Sequence, residues 1–187
     1  MSSRSLWRAL CLALLILAGL MVAACLAPAK AKVSVSDLTA LFPTIERLGV
    51  RSYTVDTRTD QPDCVFFEYG RGAFTSDPSD EFCRVWRVDP QNPDAGWVGP
   101  APVAFDQQAH NDLAALKGEF DRVGVPIEYL YINLDPAGAV GPDSAFDADR
   151  CIAYFYQPDW SALPEDIPGK SVSTGITADW YKTDHCP

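Results

Sequence analysis

Leu38, Leu41, Ile45 and Leu48 fall at i, i+3, i+7 and i+10, and Leu113, Leu116, Phe120 and Val123 repeat that spacing further along the chain. Each series draws one apolar stripe along a helix. The segments that carry them, DLTALFPTIERLGV (37–50) and DLAALKGEFDRVGV (112–125), are identical at seven of fourteen aligned positions. Ser36 and Asn111 stand just before the stripes and are favoured N-cap residues. Gly49 and Gly124 stand just after them, where a helix ends most easily on glycine. Pro43 and Gly118 share one aligned position inside the stripes, and both weaken a helix interior. Each helix is therefore expected to bend there or to divide in two.

Runs rich in aromatic and β-branched residues follow each helix and read as strands. The first series is RSYTVD (51–56), CVFFEY (64–69) and FCRVWRV (82–88). The second is IEYLYI (127–132), CIAYFY (151–156) and a run over 175–182. A proline- and glycine-rich junction, residues 89–105, reads as a linker. The pattern predicts an α+β protein: tandem duplicated helix-strand-strand-strand units, 33–88 and 106–187, within one compact domain. One such unit buries little surface, so the two are expected to share an antiparallel sheet of about six strands with both helices on one face.

The first residues change the setting. Arg4 and Arg8 precede an apolar run over 9–24, and Val22-Ala23-Ala24-Cys25 follows. This resembles the lipobox of bacterial lipoproteins. The resemblance implies a signal peptide over 1–25, lipidation of Cys25 and membrane attachment through an N-terminal lipid anchor. Two other readings stay open: secretory cleavage after Ala29-Lys30-Ala31, and retention of the apolar run as an uncut anchor helix. All three place the folded part outside the cytoplasm, in the cell envelope or secreted. There an even cysteine count implies disulfides. Cys64 and Cys151 each open a second strand, and Cys83 and Cys186 lie on or beside the third. Hairpin pairing of those strands predicts the bridges Cys64–Cys83 and Cys151–Cys186. In outline, tandem helix-plus-sheet units with a disulfide in each resemble the architecture of β-lactamase inhibitory protein. No sequence motif is shared, so the resemblance carries no functional residues with it.

The formal net charge is −10, and loss of Arg4 and Arg8 with the signal peptide makes it −12. So acidic a surface excludes nucleic acid as a partner, because phosphate binding needs a basic footprint. Candidate chemistry is sparse. His110 adjoins a helix start, and His185 lies between Asp184 and Cys186, a cysteine expected in a disulfide and so without a thiolate. The chain has no G-x-S-x-G, no H-E-x-x-H, no phosphate-binding glycine loop and no C-x-x-C pair. The acidic loop 135–149, with Asp135, Asp143, Asp147 and Asp149, lacks EF-hand spacing. No cofactor and no metal site is expected. The aromatic residues Tyr129, Tyr131, Tyr154, Tyr156, Trp86 and Trp180 lie in or beside the strands. If they stand on the face the helices leave open, they form a binding surface for a protein or small ligand. The expected function is non-enzymatic binding through that face or through the groove between the units. A secreted enzyme inhibitor and a carboxylate-dependent envelope hydrolase are the alternatives.

Overall fold

The computed structural model describes residues 33–57, 62–80, 83, 88–89, 92–97, 101–149, 151–165 and 171–185. Cys25, Trp86 and Cys186 lie outside the described residues.

The first stripe divides into α1 (Val35–Thr39) and α2 (Phe42–Leu48). The N-cap of α1 is Ser34, not Ser36: its hydroxyl accepts the Asp37 N–H, and the Asp37 carboxylate accepts the Ser34 N–H in return. Pro43 causes no kink. It sits in the first turn of α2, where the missing N–H has no intrahelical acceptor to lose. The second stripe is a single helix, α3 (Gln107–Val123), which starts earlier than its stripe because Asp106, not Asn111, accepts the Ala109 N–H. It runs unbroken through Gly118, which is exposed, so the weak helix propensity there is outweighed by the packed face on either side.

Both phrases end alike. Gly49 (φ 66°) and Gly124 (φ 70°) take the left-handed conformation, and the Val50 and Val125 N–H groups donate back to the Ile45 and Phe120 carbonyls. These are Schellman closures, each followed by a buried valine.

The chain forms a mixed α+β fold around a large, mostly antiparallel sheet of nine described strands, not six, in the order β10 (Val172–Gly175), β11 (Trp180–Asp184), β9 (Ile152–Tyr156), β8 (Ser144–Asp149), β7 (Tyr129–Tyr131), β1 (Ser52–Asp56), β2 (Cys64–Tyr69), β3 (Gly72–Thr75), β6 (Val103–Ala104). Two meanders meet at its centre. One is β1 (Ser52–Asp56), β2 (Cys64–Tyr69) and β3 (Gly72–Thr75). The other is β7 (Tyr129–Tyr131), β8 (Ser144–Asp149) and β9 (Ile152–Tyr156). The antiparallel pair β1–β7 joins them, with Tyr53 opposite Leu130. A two-residue turn, Gly70-Arg71, links β2 to β3, with Tyr69 opposite Gly72.

Three elements add to the expected layout. The acidic loop supplies β8, which pairs with both β7 and β9, so CIAYFY is the third strand of its meander. Residues 175–182 straddle the hairpin of β10 (Val172–Gly175) and β11 (Trp180–Asp184). The junction holds β4 (Val88–Asp89) and β5 (Asn92–Trp97), a separate two-stranded sheet, and β6 (Val103–Ala104), which joins β3 in parallel. Of the run 82–88 only Cys83 and Val88, the first residue of β4, are described.

Cys64 and Cys83 are disulfide-bonded, the expected pair, but not across the expected hairpin: β2 pairs with β3, and Cys83 lies outside the strands. Cys151 is also in a disulfide, and Cys186 lies outside the described residues. All three helices contribute to one core: Leu38, Leu41, Ile45, Leu116 and Phe120 pack with Tyr53, Leu130 and Phe146. Cross-strand partners share a face, so the register puts Tyr53, Leu130, Phe146 and Tyr154 in one row under the helices. Among the described residues, no helix packs on the other face.

Candidate functional site: the helix-free face of the sheet

The alternation of each strand sorts the aromatic residues. Tyr154 and Tyr156 point to the helix side with Trp180, where Phe42 of α2 packs against both Tyr156 and Trp180. Tyr154 and Trp180 are buried there and belong to the core. Tyr129 and Tyr131 point the other way, because Leu130 between them is the core residue. The expected cluster is therefore split between the two faces, two tyrosines on each, with Trp86 outside the described residues.

Two rows cross the open face. The first runs Glu68, Ser52, Tyr131, Ala145, Phe155, Tyr181 and Gly175. Phe155 and Tyr181 stack at 4.9 Å, and Trp160 meets Tyr181 edge-on at 6.4 Å. A Cβ on Gly175 would come within 2.8 Å of the Trp160 ring, so glycine is what lets the indole lie over the end of this row. The indole N–H donates to the Thr177 carbonyl at 3.0 Å and fixes the ring. Tyr131, Phe155, Tyr181 and Trp160 are all partly exposed.

The second row runs Thr75, Phe66, Thr54, Tyr129, Asp147, Ala153 and Thr183. It closes at one end. Phe66 and Thr75 are buried beside the Cys64–Cys83 bridge, and the Thr75 hydroxyl donates to the Cys83 carbonyl at 2.7 Å. Its middle is different. Among the described residues, Thr54 Oγ1 and Asp147 Oδ1 are buried without a hydrogen-bond partner, one on each side of Tyr129. An unmet buried polar group costs about 1–3 kcal/mol. Burial raises the Asp147 pKa above the usual carboxylate value, His185 partly opposes that, and Glu128 adds to it.

A groove between the two halves is also present. Tyr53 and Val55 of β1 meet Phe120 of α3 and Ile127 at a cavity of about 250 Å³, with Lys117 and Glu128 at its lining. Burial pushes the Tyr53 hydroxyl up to about 12, so it stays protonated through the physiological range.

The remaining candidates fall elsewhere. His110 is exposed and stacks on Phe105 at 5.0 Å near the start of α3. His185 is exposed and its N–H donates to the Cys151 carbonyl. Of the loop acids, Asp135 accepts from the Ala137 and Ala139 N–H groups and shapes a turn. Cys64, Asp80 and Cys83 place their donor atoms within 4.8 Å of one another, but both sulfurs are committed to the disulfide. Sequence reading missed Phe155, Thr54 and Asp147 as members of one surface. The signal was the alternation itself: naming Leu130 and Phe146 as core assigns Tyr129 and Asp147 to the other face.

Among the described residues, no helix is long and apolar enough to cross a membrane. No protein-family model, curated protein or solved structure matches the chain.

Proposed function

We propose that this is an extracytoplasmic, lipid-anchored binding protein that recognises its partner on the helix-free face of the sheet and performs no catalysis of its own. One observation carries the reading: the three described helices pack on one face, and the other offers Tyr131, Phe155, Tyr181 and Trp160 as partly exposed rings on the sheet. Rings held this way present large apolar area with little side-chain entropy left to lose, which is what interface anchors need. The lipobox at Cys25 would tether the protein to the membrane.

The platform arises by duplication of a helix-plus-meander unit. Matching Schellman closures at Gly49 and Gly124 and the central β1–β7 pairing support this. Duplication explains why one unit, too small to bury its own sheet, occurs twice.

The test is site-directed photocrosslinking in the anchored, full-length chain. A photoreactive phenylalanine analogue at Phe155 should crosslink a partner in intact envelopes, and the same analogue at Ala114, exposed on α3, should not. Crosslinks from Ala114 with none from Phe155 would overturn the assignment of the face.

A further inference from the structure

We infer that the centre of the open face, Thr54-Tyr129-Asp147, is a recognition site for an arginine side chain presented by a protein partner; this deepens the binding-face reading and rests on it. Three observations converge. First, Asp147 Oδ1 and Thr54 Oγ1 are buried acceptors without partners among the described residues, and they flank the same tyrosine on adjacent strands. A ligand that donates to both would satisfy two groups the fold leaves unmet. Second, the charged strand positions described on this face are acidic, with His185 as a basic neighbour of Asp147. The described strand positions that face away from the helices include Asp56, Glu68 and Asp147 and no lysine or arginine. Third, Tyr129 stands between the two acceptors, so a bound group meets an aromatic ring as well as two oxygens.

Guanidinium fits this combination better than ammonium. It is planar, stacks on aromatic faces, is weakly hydrated, and offers five donors in a fixed fork. Asp147 is already partly desolvated by the fold. It therefore loses little further hydration when the cation arrives, and the attraction acts in a medium of lower effective dielectric than water.

The experiment uses saturation-transfer NMR on the full-length chain in detergent micelles, with acetyl-arginine methylamide as the probe. Acetyl-citrulline methylamide is its neutral isostere, and acetyl-lysine methylamide carries the charge without the fork. The arginine probe should bind about tenfold more tightly than either. Asp147→Asn should abolish that preference, and Thr54→Val should reduce it, with the near-UV circular dichroism of both variants unchanged. Equal binding of arginine and citrulline, or a preference that survives Asp147→Asn, would overturn the site. Equal binding of lysine and arginine would overturn the choice of guanidinium. If these fail while Phe155 still crosslinks, the arginine site falls and the binding face stands. If Phe155 does not crosslink, the face itself falls.

Discussion

The two faces of the sheet are built from the same strands and differ in kind. Under the helices, the row Tyr53, Leu130, Phe146 and Tyr154 belongs to a continuous apolar core in which Leu41, Ile45 and Leu116 have no exposed surface. One residue along each strand, the row Thr54, Tyr129, Asp147 and Ala153 faces away from the described helices and holds two buried oxygens without partners among the described residues. A fold could be expected to satisfy or remove such atoms, since each costs stability. The contrast teaches where the burden falls: the covered face stabilises the protein, and the open face holds groups that work against stability.

The comparison breaks most readily at the covered face. Leu41 and Leu116 hold the same place in two equivalent stripes and are both fully buried. Leu41→Ala and Leu116→Ala should each destabilise the protein by about 2–5 kcal/mol in denaturant melts. Exposed helix positions such as Arg47 and Asp121 should change it by less than about 0.5 kcal/mol on substitution with alanine. Glu46 is no such control, exposed though it is, because its carboxylate accepts the Val140 N–H across 94 residues of chain. If one leucine proved critical and the other indifferent, the two helices would not play equivalent parts, and the duplication would lose its main support.

The next effect lies on the open face, at the end that is closed. Cys64 projects to that side, opposite Asp56, and its bridge to Cys83 lies beside buried Phe66. The bridge spans 19 residues, so replacing both cysteines with alanine should cost about 3 kcal/mol. The loss should be accompanied by protease cleavage between residues 76 and 83 at concentrations that leave the native chain intact. A melt unchanged by the double substitution would mean that packing alone holds this segment over Phe66.

Much of the covered face was legible in the sequence, because helical stripes and αL glycines are local signals. The stripe spacing found Leu38, Leu41, Ile45, Leu113, Leu116 and Phe120, all buried. Gly49 and Gly124 announced both helix ends. The true N-caps were hidden because α1 and α3 start before their apolar positions do, on Ser34 and Asp106. The open face was harder to see. In β9, Ala153, Tyr154 and Phe155 are apolar on both sides, so composition could not assign a face; only pairing with β8 and β11 does. Strand β8 was concealed for the opposite reason. Its open-face positions include Asp147, and acids in a run just after two glycines read as a loop until Phe146 and Ala148 are seen to enter the core. The junction's strands escaped because β4, β6 and much of β5 consist of two-residue or proline- and glycine-bearing stretches with no periodicity to detect.

The smallest effect should also be the most telling. Burial raises the Asp147 pKa above its unfolded value, with His185 and Glu128 as the charged neighbours that lower and raise it. The folded state therefore holds this proton more firmly than the unfolded one. The sign follows from linkage: stability attributable to Asp147 is fully present below the unfolded carboxylate value of 3.8 and is lost as pH rises through the raised folded value. Near neutral pH the ionised group works against the fold. Asp147→Asn removes the charge and keeps the shape, so it should raise the denaturation midpoint slightly at pH 7. The advantage should shrink as pH falls towards 4 and vanish below it. An ordinary stabilising ion pair would behave in the opposite way: Asp106, whose carboxylate Arg71 holds below the usual range, should lose its contribution as pH falls. If Asp147→Asn instead lowers the midpoint at pH 7, the carboxylate is satisfied within the fold. The open face would then be merely a second, weaker core surface, and the contrast between the two faces would collapse.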